Sequence, residues 1–283
     1  QKSTRLRQRS VAKPDGRGPD PACNVPGAPH IAASASMPYT CQSEGMRPKG
    51  RSALHHARRY ARISGSGIRS MFTALNPTKA LIFRIVHRDN IPWILNNGLH
   101  CRSADVTDPG YVAIGNPDLI HRRQSRRVNT PPGGTLSDYV PFYFTPCSPM
   151  LYNIKTGYGG IAKHDSSEIV ILVSSLITLK SAGINFLFTD RHAYLEATQF
   201  FCDLADLNRI DWALLQARDF RRDPEDPEKL ERYQAEALVH RHVPISALSG
   251  AVCYNETEAD ALRQALAQRG LSLKVIVRPH WYP

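Results

Sequence analysis

Four segments of the chain place reactive or ligand-gripping side chains where a fold could present them. His87 follows the apolar run 81–86 and precedes Asp89, which reads as the cap of a short helix ending before Gly98. A neutral imidazole at a strand end is held firmly yet stays accessible, and it can donate to one sugar hydroxyl while accepting from another. The same histidine could instead only complete the Asp89 turn.

The run His121, Arg122, Arg123, Gln124, Ser125, Arg126, Arg127 is dense in guanidinium groups, whose planar fork matches a pyrophosphate or a DNA backbone. The alternative is a solvated basic face. Between 139 and 144, Tyr139, Phe142, Tyr143 and Phe144 suit a strand with one aromatic face for the core and one for a stacked ring, although an aromatic strand wholly in the core fits too. Glu236 is a lone carboxylate inside an apolar stretch, costly to bury without a partner. As a strand, 235–240 puts Glu236 and Leu238 on one face and Ala235, Ala237 and Val239 on the other. As a helix, it pairs Glu236 with Arg232 on a surface. His192 and Glu196, four apart on an expected helix over 191–204, read as surface-facing.

These groups need a scaffold, and the pattern predicts one of mixed type. Strands are expected over 81–86, 139–144, 168–175, 186–188 and 273–277, with 251–254 closing toward a helix over 256–269. Residues 99–137 read as a long loop region of the kind that is usually functional. Helices and strands interleave without regular β-α-β alternation, so the fold class is α+β. The chain carries no G-x-G-x-x-G, no G-x-x-x-x-G-K-[ST], no H-E-x-x-H and no G-x-S-x-G, so any active site must be assembled from dispersed residues. Its six cysteines include no C-x-x-C pair, which argues against a zinc site, and the expectation is no metal. No apolar run reaches about 18 residues and no signal peptide is visible, so the expected setting is a reducing cytoplasm without a membrane.

The net charge of +11 is unevenly placed. Residues 1–70 hold 13 Lys and Arg against 3 Asp and Glu, with seven Pro and seven Gly and no sustained apolar period. They read as a disordered basic extension, and Met71 opens the folded domain, 71–283. The remainder is nearly neutral, so a case for nucleic-acid binding must rest on a local patch.

Taken in order, the segments resemble the DarT family of bacterial toxin–antitoxin systems. The matching pieces are 83–92 (FRIVHRDNIP), 114–117 (IGNP) with Arg122 and Arg123, 133–144 (GGTLSDYVPFYF) through 148–151 (SPML), and 232–239 (RYQAEALV). The resemblance runs from about residue 75 to the C-terminus. It implies an ADP-ribosyltransferase fold related to the PARP enzymes, with a central mixed or antiparallel sheet and NAD as donor. The implied acceptor is a base of single-stranded DNA, thymidine in the nearer branch and guanosine in a sister branch. Carried over, His87 with its neighbour Asp89 would bind NAD, Arg123 would be the active-site arginine and Glu236 the catalytic glutamate. Gly115 matches a glycine that tolerates larger residues poorly. Tyr143 and Met150 would line the NAD pocket. Cys147 stands where a basic residue is usual. Arg122, together with Arg218, Arg221 and Arg222 in the polar loop 209–231, would hold DNA, and a macrodomain antitoxin of the DarG type is the implied partner.

Overall fold

The computed structural model describes residues 72–282. The expected basic extension, 1–70, and the proposed domain start at Met71 lie outside the described residues.

The first strand, β1 (Leu81–His87), pairs along its whole length with β4 (Ile169–Ser175), from Leu81 opposite Ser175 to His87 opposite Ile169. On its other side, β1 meets β3 (Tyr139–Tyr143) in register at one position, Phe83 opposite Tyr143. β3 then pairs fully with β7 (Glu236–His240), with Tyr143 opposite Glu236 and Tyr139 opposite His240. Adding β5 (Phe186–Thr189), β6 (Phe200–Phe201), β9 (Gly250–Cys253) and β10 (Val275–Val277) gives one sheet of order β10-β9-β4-β1-β3-β7-β5-β6. It is antiparallel except between β10 and β9. Two four-strand blocks are therefore joined by one β1–β3 register pair. Beyond that pair the guanidinium of Arg84 reaches across to the Pro141 carbonyl at 2.8 Å.

The core justifies the strand assignments. β4 and β5 are buried almost throughout, so both faces carry apolar residues. Phe83, Phe142, Phe144 and Phe188 are fully buried, each contributing about 1.5–3 kcal/mol of transfer free energy. The segment holding Glu236 is a strand, and its two faces separate as alternation requires. Ala237 and Val239 join the main core, while Leu238 packs in a smaller cluster with Val128, Leu136, Tyr139, Leu187 and Ala193.

Helix α1 (Ile91–Asn97) ends at Gly98, with φ +78°. A β-carbon there would sit 2.6 Å from the Val243 carbonyl and 2.5 Å from His242 Nε2, so both backbone geometry and space demand glycine. The expected Asp89 cap is corrected: Asp89 donates its backbone N–H to His87 Nδ1 at 3.2 Å, so the imidazole caps a 3-10 turn over Arg88–Asn90, and α1 follows from Asn90 without a side-chain cap. Asn90 is fully buried and holds both the N–H and the C=O of Val112 through its side-chain amide. That clasp pins the long 99–137 segment against α1. The segment also contains α2 (Pro117–Arg123), capped by the Asn116 side chain on the Leu119 N–H.

The helix expected over 191–204 does not form. Its backbone N–H groups are diverted: Ala193 to the Glu236 carboxylate, Tyr194 to His192 Nδ1 and Gln199 to Asp190 Oδ1. The stretch turns back as a loop into β6. Helix α3 (Pro149–Thr156) starts on a Ser148 cap, and α7 (Glu256–Ala267) starts on an Asn255 cap. The short helices α4 (Leu176–Ser181), α5 (Trp212–Ala217) and α6 (Lys229–Tyr233), with a small β2–β8 sheet (Leu99–His100, His242–Val243), complete the α-helices and strands among the described residues. No helix among the described residues is long and apolar enough to cross a membrane.

Candidate active site

A cavity of about 610 Å³ is lined by Arg84 and Ile85 of β1 on one side and by Pro141 and Tyr143 of β3 on the other. It therefore borders the single-pair seam between the sheet blocks. Glu236, the first residue of β7, lies beside Tyr143 across the strand pair and shares the cavity with Arg123, the last residue of α2. Thr189 secures the start of β7, its hydroxyl accepting from the Glu236 N–H at 3.0 Å.

The carboxylate is 3% exposed and heavily engaged. Oε1 accepts from Arg123 Nη1 at 3.2 Å and from the Ala193 N–H at 3.0 Å, and it lies 3.6 Å from His192 Nδ1. Oε2 lies 3.0 Å from Arg123 Nη2. Although this is a close ion-pair distance, Nη2 is off the hydrogen-bonding direction and remains a buried donor without a hydrogen-bond partner. Burial pushes the Glu236 carboxyl toward protonation. The Arg123 charge and the two N–H donors outweigh it and hold the pKa below the ordinary glutamate range. Burial and then the Arg123 charge lower the His192 pKa against the pull of Glu236, so that ring is neutral near pH 7. Because Nδ1 accepts from the Tyr194 N–H, the proton sits on Nε2. Burial, followed by the neighbouring carboxylate, raises the pKa of the Tyr143 hydroxyl and keeps it protonated.

Two residues bordering this one cavity carry buried polar atoms without a hydrogen-bond partner among the described residues, Arg84 Nε and Ser137 Oγ, while Arg123 Nη2 is engaged by the Glu236 charge. Buried polar groups in folded proteins are nearly always satisfied, so such a concentration at a cavity marks a place for ligand acceptors.

Of the residues singled out from sequence, the cavity brings together Gly115, Arg123, Tyr143, Met150 and Glu236. It does not include His87 or Asp89. The buried His87 ring lies edge-on to His164, with centroids 5.0 Å apart, and its Nε2 is 3.8 Å from Glu168. Asp89 is exposed. The four arginines expected to hold DNA differ among themselves. Arg122 and Arg222 are exposed and unpaired among the described residues. Arg221 is exposed but bound at both Nε and Nη2 by Asp219. Arg218 is turned inward, 4.6 Å over the Phe72 ring and bonded to the His280 carbonyl, which corrects its expected place on a DNA surface.

The helical alternative for Glu236 is also overturned, because Arg232 binds Asp226 and Asp211 instead. Sequence reasoning missed His192, Ser137 and Arg84 as site residues. The signal for Arg84 was a charged residue interrupting an apolar strand. His192 was hidden by reading its segment as a helix with an outward face.

Residues 83–283 match the family described as ssDNA thymidine ADP-ribosyltransferase, DarT. A DNA ADP-ribosyl transferase of Escherichia coli O127:H6 is 56% identical over 209 residues, covering 74% of this chain and 96% of that protein. The solved structure of Thermus sp. 2.9 DarT in complex with ADP-ribosylated ssDNA is 33% identical, with a TM-score of 0.67, covering 73% of this chain and 98% of that one. The same Thermus protein in complex with NAD+ gives a TM-score of 0.63 at 33% identity, covering 72% and 98%.

Proposed function

Because the chain belongs to the DarT family of ssDNA thymidine ADP-ribosyltransferases, we propose that its cavity takes NAD and that its residues transfer ADP-ribose to a thymidine base of single-stranded DNA. The observation that carries this reading is the ionised Glu236–Arg123 pair sharing one cavity with the unpartnered donors of Arg84 and Ser137. A dinucleotide is rich in the acceptors those donors lack: phosphate, ribose and carboxamide oxygens.

The chemistry assigned to each group follows from its state. Cleaving the bond between nicotinamide and ribose builds positive charge on the sugar. Glu236, held as a carboxylate, stabilises that charge and can accept from a ribose hydroxyl. Arg123 holds Glu236 in place through both Nη1 and Nη2, and its charge favours a nearby phosphate oxygen or a base losing its proton. A guanidinium is a poor base, so the role of Arg123 is electrostatic. As the ring nitrogen of thymine bonds to the ribose carbon and nicotinamide leaves, the base gives up a proton, which the Glu236 carboxylate is placed to receive. Tyr143 and Met150 would cover the rings. A contact from His87 to NAD rests on the family resemblance alone, with Nε2 the ring nitrogen left for it by the bond at Nδ1.

The test is to incubate the protein with NAD and four oligonucleotide pools: thymidine-containing single strands, guanosine-containing strands without thymidine, duplex DNA and RNA. A mass gain of one ADP-ribose is expected on the first pool, lost in Glu236→Gln. Labelling confined to guanosine strands, RNA or protein would refute the assignment.

The reading extends to a partner and a place. A lesion on DNA bases calls for an enzyme that removes it, and the resemblance points to a macrodomain antitoxin of the DarG type acting in the cytoplasm. Such a macrodomain, added after transfer, is expected to restore the oligonucleotide's original mass.

A further inference from the structure

Resting on that reading, we propose that a second recess beside the cavity holds the nucleotide next to the modified one and reads its base. This recess, of about 460 Å³, is lined by Gln124, Ser125, Arg127, Val128, Asn129, Gly134 and Thr135. Gln124 lines both it and the main cavity, and it follows Arg123 directly in the chain. A strand whose reacting base sits at Arg123 and Glu236 therefore meets the recess as soon as it passes Gln124.

The recess has the chemistry of a nucleotide site. Gln124 and Asn129 carry amides that donate and accept as a base edge does, and Arg127 carries a fork suited to phosphate. None of these three side chains has a hydrogen bond or ion pair among the described residues. By contrast, Arg191, Arg221, Arg232 and Arg263 are each bound by carboxylates. Arg127 thus brings an unbalanced positive charge to the recess, where a phosphodiester would run.

The frame under these free side chains is fixed. Residues 126–136 form a short hairpin, with the Val128 N–H on the Gly134 carbonyl and the Leu136 N–H on the Arg126 carbonyl. Val128 is buried, the Tyr139 hydroxyl donates to the Gly133 carbonyl, and Asp138 holds Thr135. Arg126 ties the hairpin to the Leu195 carbonyl at 2.7 Å, on the same loop that donates Ala193 to Glu236. Free polar groups on a pinned hairpin are suited to reading a base, and the hairpin's distance from the reacting atoms is then set by the loop around Ala193.

The experiment uses the full chain, NAD and short single strands with one thymidine, in which the neighbour on each side is varied through four bases and an abasic residue. For the unaltered protein, the abasic residue on one side is expected to raise the KM for DNA roughly tenfold with little change in kcat. In Arg127→Ala and Asn129→Ala that penalty should disappear, with KM for the normal strand already raised about tenfold. The KM for NAD and the melting temperature, measured on the same variants, identify any that misfold; the second variant and Gln124→Ala then carry the comparison. Variants that fold and keep both the DNA KM and the neighbour preference overturn the recess while leaving the thymidine reading intact. A protein that modifies no single strand at all overturns both.

Discussion

Arg123 and Glu236, 113 positions apart in the chain, meet as a two-point guanidinium–carboxylate pair, with Nη1 donating to Oε1 at 3.2 Å and Nη2 3.0 Å from Oε2. The pair is buried, so its two charges depend on each other. Arg123→Met should strand the carboxylate and cost about 3–5 kcal/mol of stability, while abolishing transfer. Pairing it with Glu236→Gln should recover most of that stability and none of the activity. Urea unfolding of the two single variants and the double variant provides the check, and a double variant no more stable than Arg123→Met would show that the charges are independent.

The lowered Glu236 pKa fixes the direction of a pH effect. A carboxyl whose folded pKa lies below its unfolded value adds stability above the unfolded pKa, and that stability is lost as pH falls through the folded value. The difference in unfolding free energy between the natural chain and Glu236→Gln should therefore stay constant from neutrality into mild acid and shrink only below the ordinary glutamate range. A difference already gone near pH 6 would contradict an ionised, paired Glu236.

Gly115 borders the cavity, and a β-carbon there would lie 3.0 Å from Ile120 Cδ1, the far end of a side chain that can yield slightly. Gly115→Ala should cost under about tenfold in kcat/KM. Gly115→Asp brings a second negative charge into the cavity and should cost on the order of a hundredfold through NAD binding. Equal losses in the two variants would mean that backbone geometry, and not cavity space or charge, requires the glycine.

Charge removal should separate the arginines by their partners. Arg122→Ala is expected to lower the salt-dependence slope of DNA binding by about 1, since no side chain among the described residues pairs with that charge. Arg221→Ala, where Asp219 already occupies the guanidinium, should leave the slope unchanged. The reverse ranking would place the DNA on the 209–231 loop.

Gly98→Ala tests the fold itself. With φ at +78° and the Val243 carbonyl in the way, it should lose about 2 kcal/mol or more, a drop of roughly 4–8 °C in Tm.

Much of this arrangement was legible in the sequence. Alternation gave both faces of the Glu236 strand, the aromatic run gave β3, and Gly98 marked the end of α1. The reason is local: side-chain period and turn chemistry act within a few residues. The loop at 190–199 was not legible, because the Ala193 N–H at its centre is satisfied by Glu236, a residue more than forty positions away, and local propensity carries no trace of that. The same holds for α2, which buries no residue of its own and so lacked an apolar stripe. His87 was read correctly as a strand-end residue, but which neighbours its ring would meet, His164 and Glu168, depended on how β1 and β4 align.

The seam at Phe83 and Tyr143 carries a mechanical consequence. With one backbone register pair and the Arg84 bridge joining the blocks, whatever fills the gap beside them touches both and works like mortar between two walls. A dinucleotide lodged there should slow amide exchange in β1 and β3 more than in the outer strands, so that loading the donor also stiffens the frame that presents the carboxylate.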